Sequence, residues 1–291
     1  MTPIPRLPYR LERTATHLSP PEPGKRLVVS VVLNVEDWDF ERPMPRSVLP
    51  PPHGLSQVPD VPNFSWCEWG MRLGLPRLVN LLQSRGIKAS VNLNSRVIRS
   101  YPPAAELLAA TGWELVGHGV DQRSLHTVDD ERAVIEAAIS ELRAFSGRPV
   151  RGWLGPGLQE TLATVDILSE CGVDYVSDWV LDELPVRIDA SPRPLVVVPY
   201  SLELNDSVIY AVERHESAEI LRRVTDTLRS WDEDEPDRVM VLALPLHPHL
   251  IAVRHRIVYL REVIDLLLSR DDTIVMTGSE ICDWFLAQQT A

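Results

Sequence analysis

From Leu27 to Leu33 the chain is apolar almost without interruption, and the run breaks off abruptly in Asn34, Glu36, Asp37 and Asp39. An apolar run without polar alternation is a strand buried on both faces, which belongs to a parallel sheet covered by helices. Its carboxyl end is then open, because helices cover the faces and leave strand ends and loops to collect ligands. Two adjacent acids placed there can divide their labour. One binds a cation or orients a partner, while the other, raised in pKa by its neighbour's charge, serves as a general base. Taken alone, such a pair is more often a solvated strand end.

The rest of the chain repeats the unit. Met71, Leu75, Leu78, Leu81 and Leu82 predict a helix over Trp66 to Arg85, stopped by Gly86. A strand follows at 88–93, a helix at 97–111, a strand at 113–116 and the polar turn GHGVDQRS. The pattern continues with a helix at 129–146, a strand at 150–153, a helix at 161–171 and a strand at 174–177. LVVVPYSLELND (195–206) reads as a strand pair. Last come a helix at 217–231, a strand at 239–244, a helix at 258–269, a strand at 273–276 and a helix from Ser279. This alternation implies a parallel sheet with right-handed crossovers. About seven units suit a barrel better than an open doubly wound sheet. No G-x-G-x-x-G follows the first strand, which argues against a dinucleotide.

Prolines confine residues 1–26 to an extended arm lying on the body or on a neighbouring subunit, and 27–291 is expected to form a single catalytic barrel domain. Residues 41–65, also punctuated by proline, read as a loop that could act as a substrate lid. A net charge of −12 without basic clusters argues against nucleic acid or an anionic membrane as partner. The N-terminal stretch lacks the features of a secretory signal, so a cytoplasmic location is expected. Cys67, Cys171 and Cys282 have no C-x-x-C spacing and suggest neither disulfides nor a cysteine zinc site.

Several strands end in side chains that hydrolysis uses: Glu36 and Asp37, His118, Asp178 and Asp182, Asn205 and Asp206, and His247 with His249. A parallel barrel brings all of these to one mouth. Trp153 and Trp179 either line a flat pocket there or belong to the core. Asp178 and Asp182 either bind substrate or cap a turn, and Asn205 with Asp206 either bind substrate or form an Asx turn.

Six segments in this order, LNVEDW (33–38), GHG (117–119), RGWLGPG (151–157), YVSDWVLDELP (175–185), VPYSLELND (198–206) and LPLHPHL (244–250), resemble the polysaccharide deacetylase superfamily, also called the NodB-homology fold. Within it they resemble the branch of metal-independent allantoinases and related cyclic amide or imide hydrolases. The resemblance implies a distorted (β/α)7-type barrel with the site at the carboxyl ends of its strands, and, with the long arm, a homo-oligomer. It further implies that Glu36, Asp37, His118 and His247 are catalytic and that Trp153, Asp178, Asp182, Asn205 and Asp206 bind substrate.

Sugar deacetylases of this family use an aspartate and an H-x-x-x-H pair as metal ligands. Here Asp37 and His118 match, but the second histidine position holds Gln122, and a neutral amide is a poor zinc ligand. His126 could complete such a site only if its loop folded back. His249, two positions from His247, is expected to face solvent, since alternate positions point opposite ways. The first expectation is therefore a hydrolase that opens a small cyclic amide, ureide or imide with base-activated water and needs no metal. The alternatives are a zinc- or other divalent-metal-dependent N-deacetylase of an amino sugar, and a non-catalytic binding protein on the same fold.

Overall fold

The computed structural model describes residues 4, 6, 7, 9, 18–51, 54 and 57–289. Its strands are β1 (Leu27–Val35), β2 (Ser90–Leu93), β3 (Glu114–Gly117), β4 (Gly152–Trp153), β5 (Tyr175–Val176), β6 (Val186–Ile188), β7 (Leu195–Val197), β8 (Met240–Leu246) and β9 (Thr273–Val275). They form one sheet in the order β6-β7-β5-β4-β3-β2-β1-β8, with β9 off this path and paired to β1, parallel throughout except where β6 runs against β7. The sheet curls so far that the Val241 N–H of β8 donates to the Glu183 carbonyl just before β6. This is the expected distorted NodB-type barrel.

β1 is buried along its entire length, as its apolar run requires, and three strands pair with it. β8 follows one edge from Leu27 to Leu33. The other edge is divided: β9 takes Leu27 to Val29 and β2 takes Val32 to Val35.

The helices among the described residues are α1 (Val61–Trp69), α2 (Leu75–Gln83), α3 (Val97–Ser100), α4 (Pro102–Thr111), α5 (Glu131–Ser146), α6 (Thr164–Glu170), α7 (Glu219–Asp234), α8 (Arg254–Leu268) and α9 (Gly278–Gln289). None is long and apolar enough to cross a membrane. α5 shows the local logic. Asp130 caps its first turn by accepting from the Ala133 N–H, Ile135, Ala138, Ile139 and Leu142 bury one face, and Gly147 ends it at a positive φ.

Three expectations are corrected. The predicted helix over 66–85 begins earlier, at Val61, because Asp60 caps it and Pro62 fits a first turn that lacks N–H partners anyway. It is also interrupted by a π-helical turn at Gly70–Gly74, where a strict 3.6-residue spacing would have continued. The pair predicted over 195–206 is a single short strand, β7, ended before Pro199; its antiparallel partner is β6, upstream.

Residues 1–3, 5, 8 and 10–17 of the N-terminal arm lie outside the described residues. The described part lies on the body: Arg6 pairs with Asp166 at 2.6 Å, Leu7 and Leu18 are buried, and the Ser19 N–H donates to Gln288 at 2.6 Å.

Candidate active site

The parallel register sets Val35 beside Leu93 and Leu93 beside Gly117, which puts Glu36 level with His118, and sets Leu33 beside Leu246, so that the residues just past β1, β3 and β8 gather at the carboxyl end of the sheet. Glu36, His118 and His247 occupy those positions, and they converge on a cavity of about 250 Å³. Glu36 Oε1 lies 3.6 Å from His247 Nε2 and 3.9 Å from His118 Nε2, and it accepts a hydrogen bond from Gln122 Nε2 at 2.9 Å. Gln122 thus holds the acid in place.

Each imidazole is oriented from behind. His118 Nδ1 is 2.6 Å from the Leu154 carbonyl. A carbonyl can only accept, so the hydrogen sits on Nδ1 and a neutral ring presents Nε2 as a bare lone pair. That atom is buried and has no hydrogen-bond partner among the described residues. His247 is gripped twice by the fully buried Asp206: its backbone N–H donates to Oδ2 at 2.7 Å and its Nδ1 lies 2.6 Å from Oδ1.

These contacts set the charges. Burial opposes a charged His247, but the carboxylates of Asp206 and Glu36 outweigh it and raise its pKa to about 10. Burial would likewise raise Glu36, yet the His247 imidazolium holds it well below the usual carboxylate range. Burial, only partly opposed by Glu36, drives His249 down to about 3. The cavity therefore combines an ionised acid, an imidazolium and a neutral imidazole.

Asp37 is not in this group. Successive side chains of an extended segment point to opposite sides, and Asp37 turns away from Glu36. Its carboxylate is clasped by Arg96, with Nε 2.9 Å from Oδ2 and Nη2 3.2 Å from Oδ1. Arg96 also reaches Asp121 at 2.9 Å. The expected roles of Asp37 in holding water or metal are corrected accordingly: it anchors the strand end. Removing the guanidinium as Arg96→Gln would strand a buried carboxylate, and the expected result is a loss of about 3 kcal/mol in urea-unfolding stability. An unchanged midpoint would contradict that anchoring role.

The same geometry decides the fit of a metal. Asp37 is committed to Arg96, Gln122 donates its amide to Glu36, and His126 is exposed in a short 3-10 turn away from the cavity. Among the described residues no group of three or more His, Cys, Asp or Glu side chains is placed to hold a metal ion. The residues present do not fit the zinc site of the sugar deacetylases.

The other expected substrate-binding residues divide. Asn205 lines the cavity, while Asp206 stands behind His247 and takes no part in the lining. Trp153 is fully buried in the core, because the barrel needs a large apolar side chain against Gly117, where any Cβ would meet the indole at 2.6 Å. Asp178 lies outside the lining and accepts from the Gly155 N–H at 2.7 Å; burial and the neighbouring Glu160 raise its pKa well above the usual value. Asp182 is exposed and caps the Leu184 N–H. His249, expected to face solvent, instead lines the cavity, its ring edge-on to Trp66 with centroids 4.6 Å apart. The loop after β8 turns back there, so strand alternation no longer governs its direction.

Sequence reasoning missed several contributors. Asn94, just past β2, accepts from the Asp37 N–H at 2.8 Å and donates to the His118 carbonyl, tying two functional strand ends together. An asparagine at a strand end beside two others, Asn34 and Asn92, was the available signal. Trp66 and Cys67 reach the cavity because the π-helical turn lies against the loop after β8. A Cβ on Gly70 would come within 2.6 Å of the His249 N, and one on Gly74 within 2.1 Å of the Pro248 O. From the segment expected to be a lid, Met44, Pro45 and Arg46 line the cavity.

Residues 68–176 match the family model for polysaccharide deacetylase. No curated protein matches the sequence significantly. Among solved structures, Puue Allantoinase superposes with a TM-score of 0.84 at 22% identity, covering 96% of each chain. A Pseudomonas aeruginosa PAO1 protein described as a probable polysaccharide deacetylase gives a TM-score of 0.83 at 23% identity, over 95% of this chain and 96% of its own. A CE4 family pseudoenzyme from Bacillus Anthracis is similar at 0.55 and 15% identity, over 90% of this chain and 67% of its own. The family model matches residues 68–176, and the superpositions show that the chain has the same fold as these solved structures over nearly its whole length.

Proposed function

We propose that the protein is a hydrolase of non-peptide carbon–nitrogen bonds that opens a small cyclic amide, ureide or imide, in the manner that the name of its structural neighbour Puue Allantoinase suggests. The observation that carries this reading is the trio of Glu36, His118 and His247 around one cavity, with Gln122 bound to Glu36 and Asp37 committed to Arg96, which together stand against a zinc site. A volume of about 250 Å³ holds one small ring and falls below the ~300–1,000 Å³ of drug-sized sites.

In this mechanism a water between Glu36 and the bare Nε2 of His118 attacks the ring carbonyl carbon, and Glu36 takes its proton. The carbon–oxygen π pair moves onto the oxygen, which faces the Nε2–H of the His247 imidazolium. Collapse of the adduct breaks the carbon–nitrogen bond, and the proton taken by Glu36 passes to the leaving nitrogen. The product is a carboxylic acid still tethered to the freed amide or urea. A ring nitrogen flanked by a second carbonyl leaves as a stabilised anion, so the step places lower demands on a Lewis acid than an unactivated acetamide does. The low resting pKa of Glu36 does not disqualify it as base. As the oxyanion forms it compensates the His247 charge, and the proton affinity of Glu36 rises at that moment.

The test is ring opening of allantoin, hydantoin, dihydrouracil, succinimide and phthalimide by chelator-stripped protein, with and without added zinc. Turnover that survives stripping is the expected result. Turnover only with zinc would replace this reading with the metal-dependent deacetylase chemistry of the family. If no ring is opened, a non-catalytic binding role, on a fold that a pseudoenzyme also carries, takes its place.

A further inference from the structure

We propose that Arg46 is the carboxylate-binding residue of this cavity and holds the anionic group that ring opening creates; the inference rests on the ring-opening reading and deepens it. Hydrolysis changes the charge of the ligand. A neutral ring enters, the bond from water oxygen to the carbonyl carbon forms, the carbon–nitrogen bond breaks, the nitrogen gains a proton, and the new acid ionises. The product carboxylate then lies beside the Glu36 carboxylate, with Asp206 buried just behind His247. His247 already neutralises those two acids and has little attraction left for a third.

Arg46 supplies the missing positive charge. It lines the cavity, and among the described residues its hydrogen-bond partner is the hydroxyl of the buried Ser207. No carboxylate among the described residues pairs with it. The neighbouring guanidiniums do not line the cavity: Arg96 is spent on Asp37 and Asp121, and Arg256 stacks over Tyr210 with its carbon 4.2 Å from the ring centroid and donates to the Leu250 carbonyl at 3.2 Å. Ser207 is itself fixed, since its N–H donates to Asn205 Oδ1 at 2.8 Å. The guanidinium is therefore steered toward the cavity by a neutral hydroxyl, leaving its remaining donors for a ligand. A planar fork of donors matches a carboxylate better than it matches a single ring carbonyl.

The experiment compares succinamate with its uncharged isostere succinamide by titration calorimetry on the full chain, in wild type, Arg46→Gln and Arg46→Lys. Wild type is expected to prefer the acid roughly 10- to 100-fold, the range of hydrogen bonds to a charged group. Arg46→Gln is expected to erase that preference while leaving succinamide affinity within about twofold, and Arg46→Lys to keep part of it at low salt. A preference that survives Arg46→Gln, or a wild type that does not distinguish the two ligands, overturns the assignment. The outcome is independent of turnover. If no ring is opened yet the preference is present and lost with Arg46, the ring-opening reading fails and the carboxylate site stands.

Discussion

Glu36→Gln is expected to lower kcat/KM for the ring that turns over best by about 10²–10⁴-fold, the contribution of a positioned general base. The loss should fall on kcat, because the substituted amide keeps the volume of the side chain and can still present an oxygen to Gln122 Nε2. The variant should fold as well as wild type. The lost charge was buried at about 9% side-chain exposure, and its partner His247 keeps Asp206 as counter-ion. Circular dichroism and urea unfolding check the fold, and steady-state rates check the chemistry. Wild-type rates in the variant would remove Glu36 from the mechanism altogether.

The second large effect concerns the pH at which the proposed turnover stops. In the proposed mechanism His247 must be protonated, and its pKa is raised to about 10 because Asp206 and Glu36 favour the imidazolium. The rate should therefore hold through neutral pH and fall along an alkaline limb near 10. Glu36 must be ionised, and because it is held well below the usual carboxylate range it should give no acid limb above the ordinary glutamate value of about 4.3. Asp206→Asn keeps an acceptor for the Nδ1–H but removes a full negative charge. The direction follows: without that charge the imidazolium loses its proton more readily, and the alkaline limb should move down by about 1–3 units. A pH profile of kcat/KM reads this directly. An unmoved limb in the variant would mean that another group sets it.

The fold was largely readable because buried parallel strands write themselves as apolar runs, and Leu27 to Leu33 has no other stable reading. The positions of Glu36, His118 and His247 were readable for the same reason, since each follows directly on such a run. What the sequence concealed was the direction of side chains once the strand had ended. Glu36 and Asp37 are adjacent letters with opposite destinations, one in the cavity and one on Arg96. Asp206 looks like a binding residue beside Asn205 until the folded chain puts His247 in front of it. The π-helical turn at Gly70–Gly74 was equally hidden, because one extra residue per turn leaves no periodic trace in so short a segment.

The threefold pairing of β1 also governs when the site can exist. Glu36 stands at the end of a strand whose lower half is bracketed by β8 and β9, both made from the last stretch of the chain. During synthesis β1 emerges early and, although β2 can pair with its upper half, one whole edge and the lower half of the other must wait until those late strands arrive to cover them. A domain whose first strand closes with its last has a high contact order, and its folding is slow and exposed to aggregation until the end. His247 reaches Glu36 only through that same late pairing, so assembly of the candidate site and completion of the fold are a single event.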